Sequence, residues 1–260
     1  MFTNIAGYQF AHLSDLPAMR QNLLDCCTKQ SLKGTILVSP EGINAFLAGT
    51  QTAIDTILET IRSYPELENF TVKESFSEKQ PFTRMLVRLK KEIISFGVEQ
   101  ASPLYHEAPR LSAQQLKEWL DSGKEVVLLD TRNRFEVDLG TFNQAEHLDI
   151  TTFRQFADKV EAKKSEWLNK PIVTFCTGGV RCEKAAPFMN LAGFENVYQL
   201  DGGILKYFEE CGGEHYTGDC FVFDQRVALN PSLQPSGLAL CYECRGVLNH
   251  PGESCLQCNI

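Results

Sequence analysis

Cys176 ends a short apolar run and opens the loop Cys176-Thr177-Gly178-Gly179-Val180-Arg181, within the stretch PIVTFCTGGVRCEK at residues 171–184. A strand that delivers a cysteine into a glycine-bearing turn, followed by a helix starting near Arg181, builds an anion cradle. The glycines let backbone N–H groups turn inward, and the helix adds its positive N-terminal end. A thiolate at the centre of that cradle is stabilised, so Cys176 is expected to be acidic for a thiol and nucleophilic near neutral pH. A cysteine at the end of a buried strand is more often a small core residue. Two adjacent glycines and an arginine five residues on favour the reactive reading. Cys182 falls on the first helical turn, where it either packs or resolves a disulfide or persulfide formed on Cys176.

A second set of cysteines lies near the carboxyl end. Cys241 and Cys244 form one C-x-x-C pair, Cys255 and Cys258 another, with ten residues between them. Each pair can grip one metal from a tight turn, and the intervening loop with Pro251 and Gly252 can bring both onto one tetrahedral ion, for which structural zinc is the expected occupant. Unmetallated thiols or a disulfide pair are the alternative. A rival set, Cys211, His215 and Cys220, has short spacing but lacks a fourth ligand, and Cys220 leads into FVFDQRVAL, a strand-like run expected to bury it. His12, His106, His147 and His250 have no partner motif and read as surface or packing residues.

The elements that must position these groups follow from periodicity. Between residues 111 and 211, strand-like runs (EVVLLD, IVTFC, VYQL) alternate with helical ones (LSAQQLKEWLDSG, FRQFADKVEAKKSEW, RCEKAAPFMNLAGF). That alternation predicts a parallel sheet with helices on both faces and active residues at the carboxyl ends of its strands, where Cys176, Asp130 and Arg132 all fall. Residues 1–97 read as β-α-β-β-α-β, a ferredoxin-like split motif, with a Pro40-Glu41-Gly42 hairpin turn and MLVRLKKEII as the last strand. Residues 98–110, with two prolines, read as a linker, and 212–260 as a carboxyl-terminal extension carrying the four cysteines. The fold class expected is therefore multidomain, α/β and α+β.

The chain has 25 basic and 33 acidic residues, a net charge of −8, which argues against a protein that coats itself in nucleic acid. Locally the balance reverses: Arg84, Arg88, Lys90 and Lys91 stand together without an acid, and Lys73 and Lys79 lie upstream. This edge suits phosphate contact, although a solvated edge strand guarding itself with basic residues reads the same way. Ten cysteines, no signal peptide and no apolar run of membrane-spanning length are the expectation for a protein of the reducing cytoplasm without membrane contact.

LLDTRNRFE, the loop C-x-x-G-x-R and LDGGILKY together resemble a rhodanese domain over roughly residues 112–211, a family whose cysteines typically carry a persulfide and move sulfur. Added to GINAFLAG and PFTRMLVRLKKEII before that domain, and GDCFVFDQRVAL and the paired C-x-x-C motifs after it, the whole chain resembles the bacterial rhodanese-domain tRNA uridine(34) hydroxylases. The resemblance implies oxygen-dependent hydroxylation at carbon 5 of the wobble uridine, with molecular oxygen as co-substrate and the tRNA anticodon stem-loop as partner. It makes Cys176 the catalytic residue and Thr177, Gly178, Gly179, Val180 and Arg181 its cradle, Arg181 either anchoring the loop or binding a phosphate. Asp130 and Arg132 would shape the pocket. Arg84, Arg88, Lys90, Lys91 and Lys184 would meet tRNA phosphates. The chain carries no two-histidine, one-carboxylate iron motif, no nucleotide-cofactor glycine fingerprint and no flavin signature, so no organic cofactor is expected. The electron source and oligomeric state stay open. Two other readings remain, a plain sulfurtransferase and a non-enzymatic rhodanese-like scaffold with a zinc ribbon.

Overall fold

Apolar residues at three- and four-residue spacing build both helices of the first unit, Met1–Ser95. In this computed structural model, which describes residues 1–241, 243, 244, 246–256 and 258, the chain runs β1 (Phe2–Phe10), α1 (Leu16–Lys29), β2 (Lys33–Ser39), β3 (Gly42–Gly49), α2 (Gln51–Arg62), β4 (Lys73–Ser77) and β5 (Met85–Leu89). On α2, Ala53, Ile54, Ile57, Leu58 and Ile61 face inward, and the Thr50 hydroxyl caps the helix by accepting the Ala53 N–H at 3.3 Å. They pack with Met19, Leu23 and Cys27 of α1 against Ile5, Ile36, Val38, Ile43, Ala45, Leu47 and Val87 of the sheet. Strand order is β4-β1-β3-β2-β5.

This order gives the ferredoxin-like motif with one reassignment. The fourth strand of the split motif is β4, antiparallel to β1, and not the run MLVRLKKEII; β5 joins the opposite edge, parallel to β2, and only Met85–Leu89 of that run is extended. The sequence KESFS of β4 conceals the strand because an edge strand buries little, and here it alternates half-buried and exposed residues without an apolar face.

The second unit, Phe96–Ile260, contains β6 (Arg110–Leu111), α3 (Ala113–Asp121), β7 (Val127–Asp130), α4 (Arg134–Val137), β8 (Gly140–Phe142), β9 (Glu146–His147), α5 (Phe156–Glu161), α6 (Lys164–Trp167), β10 (Ile172–Phe175), α7 (Cys182–Leu191), β11 (Val197–Leu200), α8 (Gly203–Cys211), β12 (Tyr216–Gly218), β13 (Cys220–Phe221), β14 (Ala228–Leu229), β15 (Ala239–Leu240) and β16 (Val247–Leu248). Its main sheet is parallel, in the order β6-β11-β10-β7-β9. Every residue of β7 and β10 is buried, as expected for central strands covered on both faces. The expected helix FRQFADKVEAKKSEW is broken into a 3-10 turn at Phe153–Gln155, α5 and α6, although Phe156, Val160 and Trp167 still supply one buried face.

The expected linker is not a free tether. Ala101, Ser102 and Ala108 are buried, the carbonyls of Ala108 and Pro109 accept hydrogen bonds from Gln199, and Arg110 is already part of β6. An open edge on β11 needs a partner for its backbone, and this segment supplies it. Likewise FVFDQRVAL is a tight hairpin, β13 and β14 joined through a bidentate Arg226–Asp224 pair, with Val227 at a φ of 64°. Among the described residues, no helix is long and apolar enough to cross a membrane.

Candidate active site and metal centre

Strand β10 ends at Phe175, and Cys176 follows with no exposure to solvent. Its sulfur accepts the Gly179 N–H at 3.1 Å, an arrangement that Gly179 reaches with a φ of 102°. The loop's carbonyls point the other way. The Cys176 carbonyl accepts the Ile204 N–H at 2.9 Å and the Thr177 carbonyl accepts the Leu205 N–H at 3.1 Å, so the first turn of α8 holds the back of the cradle. Gly203 makes this approach possible: a Cβ there would sit 2.4 Å from the Cys176 carbonyl oxygen, and its φ is 65°. This is the physical content of the motif LDGGILKY.

Burial by itself would raise the Cys176 pKa. Against it act a hydrogen bond from the Cys182 thiol, the charge of Arg181, and the N–H groups of Arg181 and Gly179, and the net effect is a thiol well below its usual range. Cys182 moves the opposite way, pushed up by burial and by the neighbouring Cys176 charge, so it stays a protonated donor. It also lies 3.9 Å from the Thr131 hydroxyl.

Arg181 is a buried anchor. Its two terminal nitrogens donate to the two oxygens of Glu136 at 2.6 and 2.7 Å, and Glu136 is wholly buried. Glu136 also accepts the Asn133 N–H at 3.1 Å, which ties α4 to the loop. Of the two roles expected for Arg181, anchoring is the one this geometry serves, since a guanidinium gripped at both ends has little left for a phosphate. Glu136 lies in the LLDTRNRFE run, but nothing in its spacing marks it as the partner of an arginine 45 positions away.

Asp130 and Arg132 form a second buried pair behind the site. Arg132 donates from Nε and Nη2 to Asp130, the latter at 2.6 Å, and Nη2 also reaches the Gly140 carbonyl at 2.7 Å. Thr141 donates to the same carboxylate at 2.7 Å. His147 accepts the Asp149 N–H at Nδ1, so Nε2 carries the proton and donates to the Arg132 carbonyl at 2.9 Å. Arg132 Nη1 is buried without a hydrogen-bond partner, while the other polar atoms named here are paired with one another.

The carboxyl-terminal hairpin reaches the loop. The Thr177 hydroxyl donates to the Phe221 carbonyl at 3.3 Å, and the Arg181 guanidinium carbon lies 6.0 Å from the centre of the Phe223 ring. Nothing in the local spacing signals this contact, which spans more than forty residues of chain.

Lys184 requires a correction. It is 1% exposed on α7, inside the fold, and so is not a surface contact for phosphate. Arg84, Arg88, Lys90 and Lys91 lie in the other unit, exposed along and just beyond β5.

Cys241, Cys244, Cys255 and Cys258 converge, with all four sulfurs within 4.8 Å of one another. The Cys241–Cys258 and Cys244–Cys255 separations are 3.9 and 3.6 Å. Tetrahedral zinc with bonds of about 2.3 Å sets its sulfurs about 3.8 Å apart, so the donor set fits that ion in both chemistry and spacing. The turn between β15 and β16 carries the first pair, with the Gly246 N–H directed at the Cys244 sulfur at 3.4 Å. The rival set does not assemble: Cys220 is buried, while His215 bonds Asp121 at 2.6 Å, next to the Lys117 ammonium that bridges Asp121 and Glu214.

Two family models match the chain, a UPF0176 acylphosphatase like domain over residues 2–93 and a rhodanese-like domain over residues 112–210. Curated relatives match nearly end to end. Proteins of Cupriavidus taiwanensis and Cupriavidus necator, both named tRNA uridine(34) hydroxylase, are 49% identical over 98% of this chain and 95% of theirs. One of the same name from Paraburkholderia xenovorans is 48% identical over 98% of this chain and 96% of its own. The chain belongs to the tRNA uridine(34) hydroxylase family.

Proposed function

We propose that this protein hydroxylates carbon 5 of the wobble uridine of tRNA, with Cys176 as its nucleophile and molecular oxygen as co-substrate. The observation that carries this reading is the Cys176 sulfur held by the Gly179 N–H, beside an Arg181 that Glu136 keeps in place. Near-full-length identity to the curated hydroxylases supports the substrate and the reaction. A Cys176 thiolate, or a persulfide that extends its reach by about 2 Å, adds to carbon 6 of uracil. Carbon 5 then becomes carbanion-like and able to meet oxygen, while the loop N–H groups stabilise charge at the sulfur. One oxygen atom stays on carbon 5, and the other leaves as water with two electrons and two protons from an external reductant; loss of the carbon 5 proton then breaks the bond from carbon 6 to sulfur, restoring the ring double bond and the free thiolate or persulfide.

The anticodon stem-loop presents the base unpaired, and Arg84, Arg88, Lys90 and Lys91 contact its phosphates. Charge reversal at Arg88 and Lys91 is expected to weaken tRNA binding and flatten its salt dependence by about 0.7 to 0.9 in log–log slope for each phosphate that is no longer neutralised. The four carboxyl-terminal cysteines hold structural zinc, and the working compartment is the cytoplasm. Nucleoside mass spectrometry of hypomodified tRNA incubated in air with the protein, beside Cys176→Ser, tests the whole reading. The wild type alone should add one oxygen to uridine. If it adds none while transferring sulfur from thiosulfate to cyanide, sulfurtransfer is the activity.

A further inference from the structure

Three phenylalanines from two distant parts of the chain meet beside the cysteine loop. Phe221, on β13, is buried between two neighbours, with ring centres 5.1 Å from Phe135 and 5.1 Å from Phe223. Both outer rings stand nearly perpendicular to it, at 89° and 84°. The outer rings are open to solvent, Phe135 at 44% and Phe223 at 54%. Leaving large apolar side chains half in water forgoes burial that a purely structural cluster would gain, and clustered exposed rings signal a surface that another molecule covers.

Each of the three residues is linked to the loop in a separate way. Phe135 precedes Glu136, the residue that grips Arg181. Phe221 receives the Thr177 hydroxyl on its carbonyl. Phe223 lies 6.0 Å from the Arg181 guanidinium. Thr177 and Arg181 begin and end the turn that follows Cys176, so the rings are fixed to both ends of the cradle. In the same turn Gly178 borders open space, where an added Cβ would meet nothing within 4 Å.

Half-exposed aromatic rings held beside a reactive cysteine loop are the chemistry that receives an unpaired nucleobase by stacking. Resting on the activity proposed above, we infer that Phe223 and Phe135 form a stacking platform at the mouth of the Cys176 loop, with Phe223 taking the target uracil and Phe135 the adjacent base. Because stacking depends on an aromatic face, an aliphatic residue of similar volume does not replace it.

The test compares Phe223→Ala, Phe223→Leu, Phe223→Tyr and Phe223→Trp in the full-length protein. Three readouts are taken: kcat/KM for hydroxylation of hypomodified tRNA, the rate of Cys176 alkylation by iodoacetamide, and tryptophan emission of Phe223→Trp on titration with a uridine-containing anticodon stem-loop RNA. The Ala and Leu variants should lose about 5- to 150-fold in kcat/KM, while the Tyr and Trp variants stay within about threefold of wild type. Alkylation should be unchanged throughout, which shows the loop intact, and the Trp emission should be quenched by RNA above the background of Trp119 and Trp167. Phe223→Leu working as well as Phe223→Trp, or emission unmoved by the RNA, overturns the platform. A wild type that makes no hydroxyuridine while Phe223→Trp is still quenched removes the proposed chemistry and leaves the platform standing.

Discussion

The loop at Cys176 and the cluster at Cys241, Cys244, Cys255 and Cys258 show two ways of holding sulfur. Cys176 is one thiol facing fixed donors, the Gly179 N–H and the charge of Arg181, itself balanced by Glu136. In the cluster, four sulfurs face one another at separations down to 3.6 Å, and their ionised forms repel until a cation sits among them. The source of positive charge decides the chemistry. A guanidinium built into the fold stabilises the thiolate without bonding to its sulfur, whereas a shared metal would bond to all four.

The sharpest break between the two regions is Cys176→Ser. It should lower uridine hydroxylation by at least about a thousandfold, measured by nucleoside mass spectrometry, while bound zinc is retained. Next is Glu136→Ala, which strands the Arg181 charge in the interior. It should cost about 3–5 kcal/mol in urea unfolding and slow Cys176 alkylation at neutral pH. Gly203→Ala forces a side chain into the Cys176 carbonyl at a positive φ, with a penalty of about 1–3 kcal/mol from the backbone conformation before any displacement of the loop.

The loop should also declare itself through pH. Cys176 is lowered from 9.0 to about 5, so its alkylation rate should rise with a midpoint near that value, where an ordinary thiol is still protonated. Between those two values the unfolded chain binds the proton that the folded one has released. Stability from this group therefore grows as pH rises from about 5 to 9, and is lost as pH falls back through the folded value. The smallest effect expected at Cys176 comes from the other region. The wild type is expected to release one zinc per chain to a chromogenic chelator and Cys244→Ser none, with the Cys176 alkylation rate changing by less than about twofold.

Much of this molecule is legible in its sequence. Alternating apolar strands and helices signal the parallel sheet, and Cys176 with its glycines and Arg181 marks a turn at the end of a strand. The split motif of the first unit is legible too, except at β4, where an edge strand with polar residues on both sides leaves no periodic signal. The segment around Ala108 and Pro109 reads as a tether by composition and proves to be packed, because an unpaired sheet edge recruits whatever backbone passes it.

What the sequence determined by itself is local: the cysteine loop, whose residues are consecutive, and the two C-x-x-C pairs, each confined to one turn. Tertiary structure alone decided the partners. Glu136 meets Arg181 across 45 positions and the Phe221 carbonyl meets Thr177 across 44, while Lys184, basic like any surface residue, is folded inside. Spacing along a chain reports the repeat of the backbone, which acts over a few residues. Ion pairs, buried carbonyls and ring contacts depend only on distance in space, and that distance is set when the sheets and helices pack.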